Sequence, residues 1–199
     1  MSHLDQASGS AVPKRVPGMT TEAEYAALRA TIALRGTVRM ILLPVTLIAW
    51  AAATGGLLLI AGLPVAVVFT LAILVSGFEA IHALHVGVER IGRYLQVYYE
   101  GSPDGPRWET TAMAVGPALP GGGIDPLFAV IFLMAAVANL IPALVYEPTP
   151  IELAAVGTLH AAFIVRVIRA RVAAARQRTV ELESFRNIKA QLAAPKTQP

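Results

Sequence analysis

Cysteine is absent from the 199 residues. That excludes disulfides, thiolate metal sites, cysteine-held iron–sulfur clusters and cysteine nucleophiles. Charge is also scarce: 15% of the residues are Asp, Glu, Lys or Arg, against 55% hydrophobic. An average soluble domain carries roughly 25% charged residues and 45–50% apolar ones. So little charge leaves too few groups to cover a water-facing surface, and the apolar residues fall in runs too long for a buried core helix. Basic residues are also missing from two sharp turns, as described below.

What is present is a series of apolar runs at membrane length. Residues 40–61 contain no charged residue, about the 20 residues needed to cross a bilayer core of roughly 30 Å. Gly62-Leu63-Pro64 makes a tight turn, and a second run begins at 65, stays apolar to Phe78 and continues in helical register to Tyr99. The third run, 126–146, is preceded by Asp125 as an N-cap with Pro126 at the first helical position. Glu147-Pro148-Thr149-Pro150 turns the chain into the fourth, 151–170, which continues through basic residues to about Leu192. The expected fold is therefore an all-α integral membrane protein of four transmembrane helices in two hairpins. Its spans lie near 40–61, 65–85, 126–146 and 151–170, each unbroken, and helices 2 and 4 extend into the cytoplasm. A Gly- and Pro-rich loop, 101–124, joins the hairpins, and Gly121-Gly122-Gly123 reads as a flexible approach to the third span.

Outside the bundle, residues 1–18 mix Ser, Gly, Pro and Lys without periodicity or the hydrophobic stretch of a signal peptide, and they read as a disordered tail, as do 193–199. Residues 19–37 read as a separate amphipathic helix on the membrane surface. Thr21 and Glu24 have the spacing of a capping box, Tyr25, Leu28 and Ile32 share one side, and Gly36 is placed to end the helix.

Of the 16 Lys and Arg residues, all but Arg166 and Arg169 lie before the first span, in the extensions of the second and fourth, in the central loop or in the C-terminal tail. The two hairpin turns have none. The positive-inside rule then puts both termini and the loop in the cytoplasm, and points to a multi-pass protein of the inner, cytoplasmic membrane.

Polar residues within the spans are the strongest functional signal, because burying them in lipid is costly. Glu79 lies 15 residues past Pro64, and Arg166 lies 15 past Ile151. At 1.5 Å per residue both are about 22 Å from the same face, so an intramembrane ion pair is expected. His82, His85, Glu89 and Arg93 extend Glu79 into a polar stripe along one broad face of helix 2. His160, Thr158 and Asn139 are expected to share polar contacts inside the bundle. Glu79-Ala80-Ile81-His82 has the E-x-x-H form used in di-iron bundles. Those require a second such motif and further carboxylates from other helices, whereas this chain has one such motif and no carboxylate in the first or third span. His82 and His160 differ by about 13 Å in depth, too far apart for the two axial ligands of one haem. No metal or cofactor is expected within one chain, the alternative being a metal or haem shared between subunits of an oligomer.

The extensions carry apolar residues at coiled-coil spacing. On helix 2 these are Ile81, Leu84, Val88, Ile91, Leu95 and Tyr98, and on helix 4 a less regular row of Ile168, Val172, Ala175, Leu182, Phe185, Ile188 and Leu192. The extensions either pack on each other or join neighbouring subunits. The sequence-level expectation is a non-catalytic structural or accessory subunit of a membrane assembly, through partner subunits or self-association. Anionic lipid headgroups are expected at Arg169, Arg171, Arg176, Arg178 and Arg186, and nucleic acid is not. A homo-oligomeric channel or small transporter built on Glu79, His82 and Arg166 is the second reading. A lipid-acting or metal-dependent enzyme using His82, His85 and Glu89 is the third.

Overall fold

A computed structural model describes residues 17–60, 63–101, 105–115 and 127–194, and the side chains of 17–20, Ile60 and Ala175 are not described. Every element among the described residues is helical: α1 Pro17–Ile60, a short 3-10 turn Pro64–Ala66, α2 Val67–Tyr98, α3 Trp108–Val115, α4 Ala129–Ala138, α5 Ile141–Val145 and α6 Pro150–Ala193. The segment 1–16, Asp125, Pro126, the glycines 121–123 and the tail 195–199, all of which the sequence reading covers, lie outside the described residues.

Among the described residues, three helices are long and apolar enough to cross a membrane: Thr21–Leu59, Pro64–Tyr98 and Pro150–Ala174. Four were expected. The remaining run, Ala129–Val145, is shorter and is broken between α4 and α5. Asn139 and Leu140 close the end of α4 by bonding back to Ala135 and Val137, and Pro142 sits in the first turn of α5. A proline there has no N–H for the helical ladder and clashes with the carbonyl four residues back. The expectation of an unbroken third span is therefore corrected.

A second correction concerns the amphipathic helix 19–37. It is not a separate element, because α1 runs without interruption from Pro17 through Gly36 to Ile60. A glycine within a helix costs about 1 kcal/mol relative to alanine. Packing against α2 at points from Glu24 to Thr46 offsets that cost. Tyr94 donates to Glu24 at 3.0 Å, the Tyr25 and Tyr99 rings lie 5.4 Å apart, and Arg39 meets His85. Further along, Thr46 faces Gly77, where a Cβ would collide with the threonine side chain.

Helix α2 is central, packing on both α1 and α6. The apolar core forms around Leu74, Phe78 and Ile81 of α2, Phe132 and Ala136 of α4, and Phe163 and Val167 of α6, all buried. Phe78 meets Phe132 and Phe163 edge to face at 5.3 and 5.9 Å, an arrangement that favours the ring quadrupoles. At the other end α6 starts with a full capping box. The Thr149 hydroxyl accepts from the Glu152 amide and the Glu152 carboxylate accepts from the Thr149 amide.

Beyond the core, α2 and α6 stay side by side, so the two extensions pack within one chain. The seam on α6 differs from the expected row. Ile168, Val172, Ile188 and Leu192 are exposed, whereas Phe163, Val167 and Ala170 are buried. Ala174 packs on the same core, and Glu181, Phe185 and Lys189 reach α2. Polar residues occupy seam positions here because α2 presents Arg90 and Arg93 to them.

Candidate functional site

Two polar networks, at different levels of the bundle, tie the helices together. The first lies nearer the hairpin turns. Asn139 is fully buried at the end of α4, with His160 and Thr70 almost as deep. Its Oδ1 accepts from Trp50 Nε1 at 2.9 Å and from Thr70 Oγ1 at 2.6 Å. Its Nδ2 donates to the Val67 carbonyl at 2.9 Å and to His160 Nε2 at 3.0 Å. His160 Nδ1 lies 2.8 Å from the Val156 carbonyl. That nitrogen must carry the proton, which leaves Nε2 free to accept. All four hydrogen-bonding capacities of the amide are thus filled, by α1, by two positions of α2 and by α6. Thr158 does not join this group: it is exposed on α6 and bonds to its own Ala154 carbonyl at 2.7 Å.

The second network follows the polar face of α2 towards the charged end. Arg166 Nη2 donates to Glu79 Oε2 at 2.7 Å and lies 3.3 Å from His82 Nδ1. The guanidinium also stands over the Phe78 ring, 5.8 Å from its centroid. Matching depth on α2 and α6 brings the two ions together, but the pair is not enclosed, with side chains 41% and 40% exposed. His85 faces the other way, buried against α1, with its Nδ1 3.2 Å from Arg39 Nη1. An arginine only donates, so Nδ1 of both His82 and His85 is the accepting nitrogen. Four residues on, Glu89 accepts from Arg93 at 2.9 Å, and Arg93 reaches across to Glu181 at 2.5 Å. Gln177 and Arg90 complete that cluster, 2.7 and 3.4 Å from Glu181.

Arg39 and Trp50 were not singled out in the sequence, although both are central to these networks. Arg39 reads as a flanking positive charge and Trp50 as one more apolar residue. The antiparallel register of α1 on α2 is what places them opposite His85 and Asn139.

The charged end is capped by α3. Glu100 turns its carboxylate onto the N-terminus of α3, accepting from the Glu109 and Thr110 amides at 2.6 and 2.7 Å, a favourable place for negative charge. Glu109 in turn pairs with Arg29 of α1. Burial pushes the Glu109 carboxyl up, partly opposed by Arg29. Burial and the hydrogen bond to Glu24 push the Tyr99 phenol up. Glu181 moves the other way: burial raises it, but the Arg93 and Gln177 hydrogen bonds outweigh that and hold it below the usual carboxylate range. Between α1, α2 and α3 lies a cavity of about 40 Å³ lined by Arg93, Glu89 and Glu109, room for a water or two.

Among the described residues, no three His, Asp or Glu side chains are grouped to hold a metal ion. No family model, curated protein or solved structure matches the chain. The geometry therefore carries the functional argument alone.

Proposed function

We propose that the protein is a non-catalytic, membrane-embedded accessory subunit that presents a helical stalk to other components of a membrane assembly. One observation carries this reading. The polar residues of α2 are taken up in holding helices together: Glu79 and His82 by Arg166, His85 by Arg39, and Glu89 through Arg93 by Glu181. A stripe used in this way stiffens α2 and α6 into one unit well past the apolar core. α6 has 44 residues, about 66 Å at 1.5 Å per residue. The far part of α6 exposes Val180 and Leu192 at 63% and 76%, apolar surface suited to a protein partner.

In this reading the chain crosses the inner membrane with both ends in the cytoplasm. α4 and α5 together supply the fourth pass, since 17 residues is the lower limit of a span. The decisive experiment is mild extraction followed by mass measurement of the intact assembly. Wild type is expected to travel with foreign subunits, and Val180→Glu with Leu192→Glu to lose them while melting at an unchanged temperature. A wild-type chain that extracts only as a monomer, or keeps its partners in the double variant, overturns the reading.

A second reading, an oligomeric channel or transporter, draws on the broken α4–α5 pass, since interrupted helices line many transport sites. Ion flux in proteoliposomes that Glu79→Gln abolishes would favour it. Against it, the break is closed by the chain's own Asn139 network.

A further inference from the structure

Two openings lie on one flank of the α2–α6 pair, and they share Ala162 and Arg166 as walls. The one nearer the hairpin turns, about 420 Å³, is apolar and lined by Leu71, Val75 and Phe163 among others. The one nearer the charged end, about 600 Å³, places Arg166 and Arg169 around a floor of Ala170 and Ala173. Together they form one groove, oily at one end and cationic at the other.

The charges in the groove do not balance. Glu79 neutralises Arg166, whereas Arg169, exposed three residues on, has no ion-pair or hydrogen-bond partner among the described residues. Positions three apart share a helix face, so the groove carries one surplus positive charge. With Pro150 at one face of a bilayer, Arg169 lies 19 residues along α6, or about 28 Å. A hydrocarbon core is about 30 Å thick, so Arg169 meets the opposite headgroup layer, and the flexible stem of Arg166 reaches the same level.

We propose that this groove is a binding site for a phospholipid with an anionic headgroup, its phosphate held by Arg166 and Arg169 and an acyl chain laid along Leu71, Val75 and Phe163. A lipid supplies negative charge at that depth without cost. A neighbouring transmembrane helix would have to bury a carboxylate there, which is expensive. The site rests on the bilayer placement of α2 and α6 and not on any partner subunit, so an extracted monomer would leave it standing.

The test uses the full chain in nanodiscs of phosphatidylcholine with phosphatidylglycerol, read by native mass spectrometry of retained lipid. One phosphatidylglycerol per chain is expected to persist, with about a fivefold preference over phosphatidylcholine, the factor one surface arginine supplies. Arg169→Gln is expected to bring the two lipids to parity. Ala162→Phe, at an exposed position that tolerates bulk, is expected to fill the groove and lose both. Circular dichroism checks that each variant is folded, and Arg169→Gln changes only a surface group. Glycerol phosphate and inorganic phosphate should displace nothing; if either does, the site takes free phosphate and the lipid assignment falls. Equal retention in wild type and Arg169→Gln overturns it too. So does a disulfide cross-link from Ala173→Cys to a second polypeptide, which would show that protein covers the groove.

Discussion

At the scale of single residues, Asn139 is the side chain on which most depends. An amide with all four capacities filled inside an apolar bundle cannot be removed without stranding its partners. Stranding a buried donor or acceptor costs about 1–3 kcal/mol, although in membranes the net value is often nearer 1. Asn139→Leu is expected to destabilise the bundle by about 1–3 kcal/mol and to shift Trp50 fluorescence, since the indole N–H loses its acceptor. Detergent-denaturation curves followed at Trp50 measure both, and an unshifted midpoint would show that the network is dispensable. Part of this site was legible in advance. His160 and Asn139 are polar residues within apolar runs and had to find partners. Trp50 was not legible, because an indole in a membrane helix is ordinary until its N–H is seen to point at an amide.

At the scale of elements, close packing and charge each set a contact. α1 and α2 pack tightly at Thr46 and Gly77, where a Cβ would collide with the threonine side chain. Gly77→Leu is expected to push the helices apart at a cost of about 1–3 kcal/mol, typical of an overpacked core, whereas Gly157→Ala, within α6 and with open space at its Cβ, should stabilise by up to about 1 kcal/mol. Thermal melting of the two variants side by side distinguishes a specific contact from general intolerance. The far end of the α2–α6 pair depends on Glu181, whose carboxyl is held below its unfolded value despite burial. A carboxyl depressed in this way stabilises the fold above its unfolded pKa and loses that contribution as pH falls through the lower, folded value. The stalk is therefore expected to stay closed at neutral pH and to loosen in acid, below the ordinary glutamate value of 4.5. Hydrogen exchange along residues 177–193 reads this, and Glu181→Gln should remove the acid dependence. The heptad row on α2 was legible as far as Ile81 and Leu95, both fully buried. The seam on α6 was not, because Gln177 and Glu181 resemble surface residues until Arg93 stands opposite.

For the whole molecule, the proposed orientation makes a test that the cysteine-free chain allows directly. Ile151→Cys and Leu192→Cys are both exposed, at 82% and 76%, and sit at opposite ends of α6. A membrane-impermeant thiol reagent added to intact cells is expected to label position 151 and to spare 192 until the membrane is opened. The reverse pattern would invert the topology and with it the stalk proposal.

Sequence alone determined that the chain is helical and apolar at membrane length, because run length and charge content are properties of composition that no packing can alter. It also placed Glu79 and Arg166 at one depth, since rise per residue is fixed by the hydrogen-bond ladder. Tertiary structure decided the rest. It merged the expected surface helix into α1, broke the third run at Asn139, gave Arg39 to His85 and left the ion pair open on one flank. Those outcomes depend on which faces meet, and the meeting of faces is a balance among neighbours that no single helix contains.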